Sequence, residues 1–232
     1  MGESGEELSV EEGYEAWASI YDGDGNPLVA IEGEAVRGLF GDIRGARVID
    51  LGCGTGRHTE ALVAAGASVA AALDLSNGMI QRAREKLRGA PVVFARHAMP
   101  GPLPFGDRVF ELAVMGLVAE HVAELGAALA EIYRVLRPGG RLLLSTLHPD
   151  RTAEGQKARF IDPETGLRRM IATEHRTIED YLGAARGTGF LLETERTLVV
   201  PEALGERLER ARRYVGMELG WVGGWRKGVD AS

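Results

Sequence analysis

The 232 residues, 45% hydrophobic and 26% charged, suffice for one well-buried domain with additions and are too few for two ordinary enzyme domains. The net charge of −7, from 27 Lys and Arg against 34 Asp and Glu, is the wrong sign for a protein held by phosphate backbones, so no nucleic-acid partner is expected. Cys53 is the single cysteine, which excludes an internal disulfide and a Cys-rich metal cluster and fits a reducing, cytoplasmic setting.

The acidic start, MGESGEELSV, lacks the basic segment and apolar run of a secretory leader. No stretch reaches the roughly 20 apolar residues of a membrane span, so no membrane partner is expected. A helical arm is predicted over 11–40, broken at DGDGNP. Tyr14, Trp17 and Tyr21, three and four apart, share one helical stripe that serves either as core or as a lid.

From Arg47 onward, apolar runs of strand length alternate with segments of helical period, the pattern of a parallel sheet covered by helices. Strands are predicted over 47–51, 68–74, 92–95, 109–115 and 141–146, and helices over 58–65, 76–87 and 122–136. Ser76 offers an N-cap, and RPGG at 137–140 stops a helix and turns the chain into a strand. Beyond His148 the pattern predicts a polar stretch with short strands, a helix over 177–186, a strand over 190–200, a helix over 202–214 and a last segment at LGWVGGW. The final residues, GVDAS, are expected to fray.

The stretch VIDLGCGTGRH at 48–58 is a strand, a glycine turn and a helix start. Such a turn either merely joins two elements or brings bare backbone and unpaired helical N–H groups to a ligand. Gly52, Gly54 and Gly56 form GxGxG rather than the GxGxxG of dinucleotide sites. Asp50, just ahead of the turn, repels a diphosphate and suits an ammonium. Asp74 ends the next strand, where this fold class places an acid that grips ribose hydroxyls. An adenosine-bearing cofactor without phosphates satisfies both carboxylates.

Together with YEAWASIYD, LDLSNGMI, PLPFGDRVFELAV, RVLRPGGRLLLSTLHP and HRTIEDYLGAARGTGF, in that order and spacing, the chain resembles the class I S-adenosylmethionine-dependent methyltransferases, in their small-molecule, type 11/25-like branch. The resemblance implies an α/β, Rossmann-like doubly wound sheet of seven strands, the last antiparallel, with LGWVGGW near that strand. It implies one domain: a helical arm or lid over 1–44, a cofactor-binding core over 45–149, a cap insert over 150–176 and the rest of the sheet over 177–232. S-adenosyl-L-methionine is the implied cofactor and a small-molecule methyl acceptor the implied partner, for a monomer or homodimer.

Carried over residue by residue, Gly52, Gly54 and Gly56 underlie the methionine part of the cofactor and Asp74 holds its ribose. Leu75 and Met79 flank the adenine, Leu117 lies by the methionine chain, and Tyr21 closes over the cofactor. Arg57 and His58, at the helix start, reach its carboxylate or lie solvated there. Cys53 belongs to the same loop, with a packed position beneath it as the preferred reading. The chain departs from the family at Ala98, where an acid accepts from the adenine amine, so backbone at Ala98 or Met99 is expected to make that contact. His97 is expected at a strand end beside the adenine.

Methyl transfer from a sulfonium is an in-line displacement, so the protein must align the acceptor and, for a hydroxyl or ammonium, take a proton. His121 in MGLVAEHV and His148 in STLHP stand at strand ends on the expected acceptor side, with a wall residue and a turn residue as the competing readings. Glu120 is a base or an orienting partner for His121, or a solvated loop acid. No spaced ligand set points to a metal. The competing functions are a relative that binds the cofactor and catalyses a non-methylating rearrangement, a non-catalytic cofactor-binding protein and, more distantly, a nicotinamide-dependent oxidoreductase.

Overall fold

The computed structural model describes residues 6–23 and 25–229, so the end of the GVDAS segment, 230–232, lies outside the described residues. Among these residues, the central sheet is built from β2 (Arg47–Leu51), β3 (Val69–Asp74), β4 (Val92–Arg96), β5 (Phe110–Gly116), β6 (Leu136–Leu147), β9 (Phe190–Val199) and β10 (Glu218–Lys227). Its order is β4-β3-β2-β5-β6-β10-β9, with β10 antiparallel to both neighbours, and LGWVGGW lies inside β10. This is the Rossmann-like sheet that the motifs imply.

Both faces of the sheet are covered, so its central strands are nearly continuous apolar runs. Side chains alternate between two cores as the strand period of two demands. Ile49, Leu51, Ala113, Met115, Leu142 and Leu144 pack on one face with α5 (Leu125–Val135) and α7 (Ile178–Gly187). Val48, Ala70, Leu112, Val114 and Leu143 pack on the other with α2 (Pro27–Arg37) and α3 (Arg57–Ala64). In α5, Leu125, Ala128, Leu129, Ile132 and Val135 are buried, the three-to-four spacing of one helical face.

The arm is α1 (Val10–Trp17), a turn of 3-10 helix at Tyr21–Gly23, and α2, whose Asn26 side chain caps Leu28 N at 3.0 Å with Pro27 in the first turn. Ser9 and Glu12 form a capping box on α1. A small second sheet roofs the same end of the molecule. In it β1 (Glu6–Leu8) pairs in parallel with β8 (Arg168–Ile171), which pairs with β7 (Arg159–Ile161). Gly13 lets α1 lie against this roof, because a Cβ there would stand 2.7 Å from Ile171.

Three elements differ from expectation. The strand expected from 141 begins at Leu136 and carries RPGG as an irregularity, with Phe110 opposite Leu136 and Leu112 opposite Arg141. The helix expected over 202–214 divides into α8 (Glu202–Arg207) and a 3-10 segment (Glu209–Tyr214), because Leu208 turns extended and packs on the core. Strand β1 has no alternating pattern in EEL; the edge of β8 supplies its partner. The remaining elements are α4 (Asn77–Lys86), capped by Ser76 as expected, and the short α6 (Pro149–Ala153).

Candidate active site

Strand β2 delivers the chain into the glycine turn, and its three glycines are bare for two different reasons. Each has a positive φ, 70° at Gly52, 53° at Gly54 and 86° at Gly56, a region that favours glycine. At Gly52 a Cβ would collide with Val118, and at Gly56 it would press on Ala83 and Leu87 of α4 and its end, so both serve packing. Only at Gly54 would a Cβ point into open space. The Gly54 amide donates to Asp74 Oδ2 at 2.7 Å, and the Ser76 amide donates to Asp74 Oδ1 at 2.9 Å. Burial raises the Asp74 pKa, against those backbone hydrogen bonds.

A cleft opens above this turn at the carboxyl ends of the strands. Tyr21, Gly52, Gly54, Asp74, Leu75, Met79, Met99 and Leu117, all expected at the cofactor, line it, as do Tyr14, His97 and His121. Six other expected residues do not. Asp50 is buried beneath the turn, where Thr59 Oγ1 donates to its Oδ2 at 2.6 Å, so it does not face a ligand's ammonium. Cys53 is packed under the loop, and burial pushes its thiol well above the usual range, the opposite of a helix-start thiolate. Gly56 forms the left-handed cap of α3.

Arg57 is drawn away from the cleft by Glu32 of α2, with Nη2 to Oε2 at 2.7 Å. Its neighbour His58 is buried against the other Glu32 oxygen at 3.0 Å. Neither is free to meet a cofactor carboxylate as expected. Ala98 is exposed, and its carbonyl accepts from the Gly101 amide at 3.0 Å; the cleft is lined by His97 instead. The His97 Nε2 is buried and has no hydrogen-bond partner.

A second cavity adjoins the cleft and shares Tyr14, Tyr21 and Leu117 with it. Trp17, Leu28, Leu147, Tyr214 and Leu219 give it apolar and aromatic walls, and Glu120 lies in it. Glu120 is buried, accepts from the Leu147 amide at 3.2 Å through Oε1, and keeps Oε2 without a partner. The buried Trp17 Nε1 is likewise unpartnered. The expectation of a solvated loop acid is therefore wrong for Glu120, because the 3-10 turn Ala119–His121 folds it inward against β6.

His121 meets two partners. Its Nδ1 lies 2.8 Å from the Ala172 carbonyl, which can only accept, so Nδ1 carries the hydrogen and Nε2 accepts from the Tyr14 hydroxyl at 2.9 Å. Burial raises the Tyr14 pKa well above its usual value, with the nearby Tyr21, Glu120 and Asp74 adding to the effect, so the phenol stays protonated. His148 lines neither cavity. It is buried at the start of α6, where its Nδ1 accepts from the Asp150 amide at 3.3 Å, a turn residue rather than a base. Among the described residues, His148, Asp150 and Glu218 have ligand atoms within 4.8 Å of one another, but both carboxylates are exposed and the group stands outside the cavities.

The arm is clasped over the cleft by its own carboxylates. Ser76 Oγ donates to Glu15 at 2.6 Å and the Gly78 amide at 3.0 Å, at the start of α4. Asp22 accepts from Thr55 at 2.6 Å and pairs with Lys86 at 2.8 Å, and Glu11 pairs with Arg96. Lys86, expected on a solvated face, is thus part of the clasp. These acids lie in YEAWASIYD and beside it, but nothing in their spacing names their partners.

Residues 49–144 match the family model described as a methyltransferase domain. The chain carries a class I methyltransferase domain of the type 11 branch. An S-adenosylmethionine dependent methyltransferase from Mesorhizobium loti has the same fold, with a TM-score of 0.73 at 24% identity over 87% of this chain and 100% of that one. A demethylmenaquinone methyltransferase of Clavibacter sepedonicus is 40% identical over 44% of this chain and 41% of its own length. A malonyl-[acyl-carrier protein] O-methyltransferase of Methylococcus capsulatus is 34% identical over 77% of this chain and 65% of its own. The chain spans about half the length of the curated relatives it matches. The names of these methyltransferases point to unlike acceptors. No helix among the described residues is long and apolar enough to cross a membrane.

Proposed function

We propose that this domain transfers a methyl group from S-adenosyl-L-methionine to an oxygen, nitrogen or carbon nucleophile of a small molecule held in the second cavity. The observation that carries the reading is that the cleft over Gly54 and Asp74 meets, at Tyr14, Tyr21 and Leu117, a separate cavity whose aromatic and apolar walls are joined by Glu120, Lys157, Arg159 and Arg210. Two adjoining compartments suit a donor and an acceptor that must be aligned.

The residues present fit the cofactor. Gly54 leaves open the space a Cβ would fill, and Asp74, half-buried and with carboxylate lone pairs to spare, would hold the ribose hydroxyls. Leu75, Met79 and Met99 would flank the adenine. When bound, the cofactor supplies a methyl group made electrophilic by its sulfonium. Tyr14 and Tyr21 close the arm over the junction, exclude water and present ring faces that favour a positive charge.

On the acceptor side, the unpartnered Glu120 Oε2 calls for an N–H or O–H donor, and the unpartnered Trp17 Nε1 calls for an acceptor atom. The favoured acceptor is therefore a small molecule whose nucleophilic N–H or O–H lies on Glu120. Glu120 takes the proton as the nucleophile reacts. His121 acts through Tyr14, whose hydroxyl it orients, rather than by direct contact.

Calorimetric titration with S-adenosylmethionine, S-adenosylhomocysteine and NAD, followed by mass-spectrometric screening of amines and phenols for a 14-dalton gain, tests the reading. Binding of both sulfur ligands but not NAD, with product formed, is expected. Folded protein that binds neither sulfur ligand overturns it. Binding with rearranged but unmethylated product would replace it with the non-methylating alternative.

A further inference from the structure

We propose that the second cavity selects acceptors carrying an oxyanion group, a carboxylate or a phosphate, held by the Arg159 guanidinium with Arg210 and Lys157 in support. The inference rests on the reading of that cavity as the acceptor's and goes further, to the charge the acceptor brings.

Four of the side chains that line the cavity donate hydrogen bonds and cannot accept them: Trp17, Lys157, Arg159 and Arg210. Among the described lining residues Glu120 is the one acid. The chain as a whole has a net charge of −7, so three cations gathered on one cavity run against its general balance. The donor cleft has the opposite character. Asp74 lines it and, among the described residues, no Lys or Arg does, which suits a ligand with a sulfonium.

The cations come from two elements. Lys157 and Arg159 stand where the chain enters β7, the edge strand of the roof sheet, and Arg210 belongs to the 3-10 segment Glu209–Tyr214. Lys157 is paired with Glu7 of β1, which fixes the roof edge. Arg159 is exposed, and among the described residues no hydrogen bond or ion pair holds its guanidinium. None of the three pairs with Glu120, whose Oε2 keeps no partner. A solvated rim would account for exposed cations alone, but not for the Trp17 Nε1, a buried donor in the same lining with nothing to donate to.

An oxyanion supplies what these donors lack. Its lone pairs answer an indole N–H, and its geometry matches the planar fork of a guanidinium in bonds about twice as strong as neutral ones. An amide in its place brings N–H groups against donors, and an ammonium meets like charges. The acceptor is thus bifunctional, with an N–H or O–H nucleophile on Glu120 and an anionic group on the arginines.

The test is a ligand-observed NMR titration of the full chain at pH 7.5, with and without saturating S-adenosylhomocysteine. Its probes are matched acids and amides on aryl and alkyl scaffolds, para-hydroxyphenylacetate against para-hydroxyphenylacetamide first among them, with tyramine and para-hydroxyphenyl phosphate as the cationic and phosphate arms. The best acid should bind about 10-fold or more tighter than its amide, the worth of a charge-assisted hydrogen bond. Arg159→Gln should cut that preference about fivefold or more, and Arg159→Lys, which keeps the charge without the fork, should retain part of it. Arg168→Gln removes a charge from the same roof at a residue outside the cavity lining and should leave the preference intact. Thermal melting shows that each variant is folded. A phosphate that outbinds the carboxylates keeps the proposal and names the anion. Equal binding of acids and amides, preference for tyramine, or no anionic probe bound at millimolar concentration overturns it, as does an equal loss in Arg159→Gln and Arg168→Gln, which would mean a diffuse field and no site. Any of these with S-adenosylhomocysteine still bound leaves the cofactor reading standing. Acids bound through Arg159 by a protein that does not bind S-adenosylhomocysteine keep the anion site and overturn methyl transfer.

Discussion

Replacing Glu32 by Gln should cost about 3 kcal/mol of stability at pH 7. The carboxylate has no exposure to solvent, accepts from Ser145 Oγ at 2.6 Å and from His58 at 3.0 Å, and forms an ion pair with Arg57 at 2.7 Å. Burial alone would raise its pKa, but His58, Arg57 and Ser145 outweigh that and hold it at about 2, down from 4.5. At 1.36 kcal/mol per pH unit, that drop corresponds to about 3 kcal/mol in favour of the folded, ionised form. Gln keeps the shape but strands Arg57 and His58, and breaking a buried pair typically costs roughly 3 to 5 kcal/mol, consistent with the same size. For a chain of this length the melting temperature should fall by roughly 6 to 12 °C. The sign with pH follows from the depressed pKa. The stabilisation is fully present above 4.5 and is lost as pH falls through about 2, so parent and variant should converge in acid. Urea unfolding of both between pH 7 and pH 2 measures the gap directly. A gap under about 0.5 kcal/mol at pH 7, or one that does not shrink in acid, would refute the claim that this carboxylate binds the arm to the glycine turn.

Asp74→Ala should weaken S-adenosylhomocysteine binding by roughly 5- to 150-fold, the loss of one to three kcal/mol from buried hydrogen bonds; calorimetry reads it, and unchanged affinity would displace the ribose from Asp74. Once a protic acceptor is in hand, Glu120→Gln should lower kcat by roughly 100- to 10,000-fold with cofactor affinity within a few-fold of the parent, and retained turnover would remove Glu120 as the base. His148→Ala, in contrast, should leave turnover within about threefold and cost roughly 1 kcal/mol of stability through the lost cap of α6, as followed by thermal melting. A collapse of turnover in that folded variant would return His148 to the chemistry.

The local grammar of this chain was legible without coordinates. Strands β2, β3 and β5 announce themselves by apolar runs ending in glycine or aspartate, and α4 by its Ser76 cap. The antiparallel β10 was placed through the resemblance, at LGWVGGW. Where local rules met a tertiary demand, the latter won. Leu208 breaks a helix of good periodicity in order to reach the core, and β1 forms on three unpatterned residues because β8 offers an edge.

The sequence by itself determined that a bare turn stands between a strand and a helix with an acid twenty residues beyond, because turn chemistry and periodicity act over a few residues. Only the tertiary structure decided which side chains reach the cleft. Arg57 is claimed by Glu32, 26 residues away from His58 in the same network, and Asp50 by Thr59 beneath the turn. His97 enters the cleft in place of Ala98, and the second cavity is assembled from the arm, the cap, the turn after β5 and the 3-10 segment near β10. Burial and pairing across such separations depend on how whole elements pack against one another, and no spacing within a single stretch of chain encodes that.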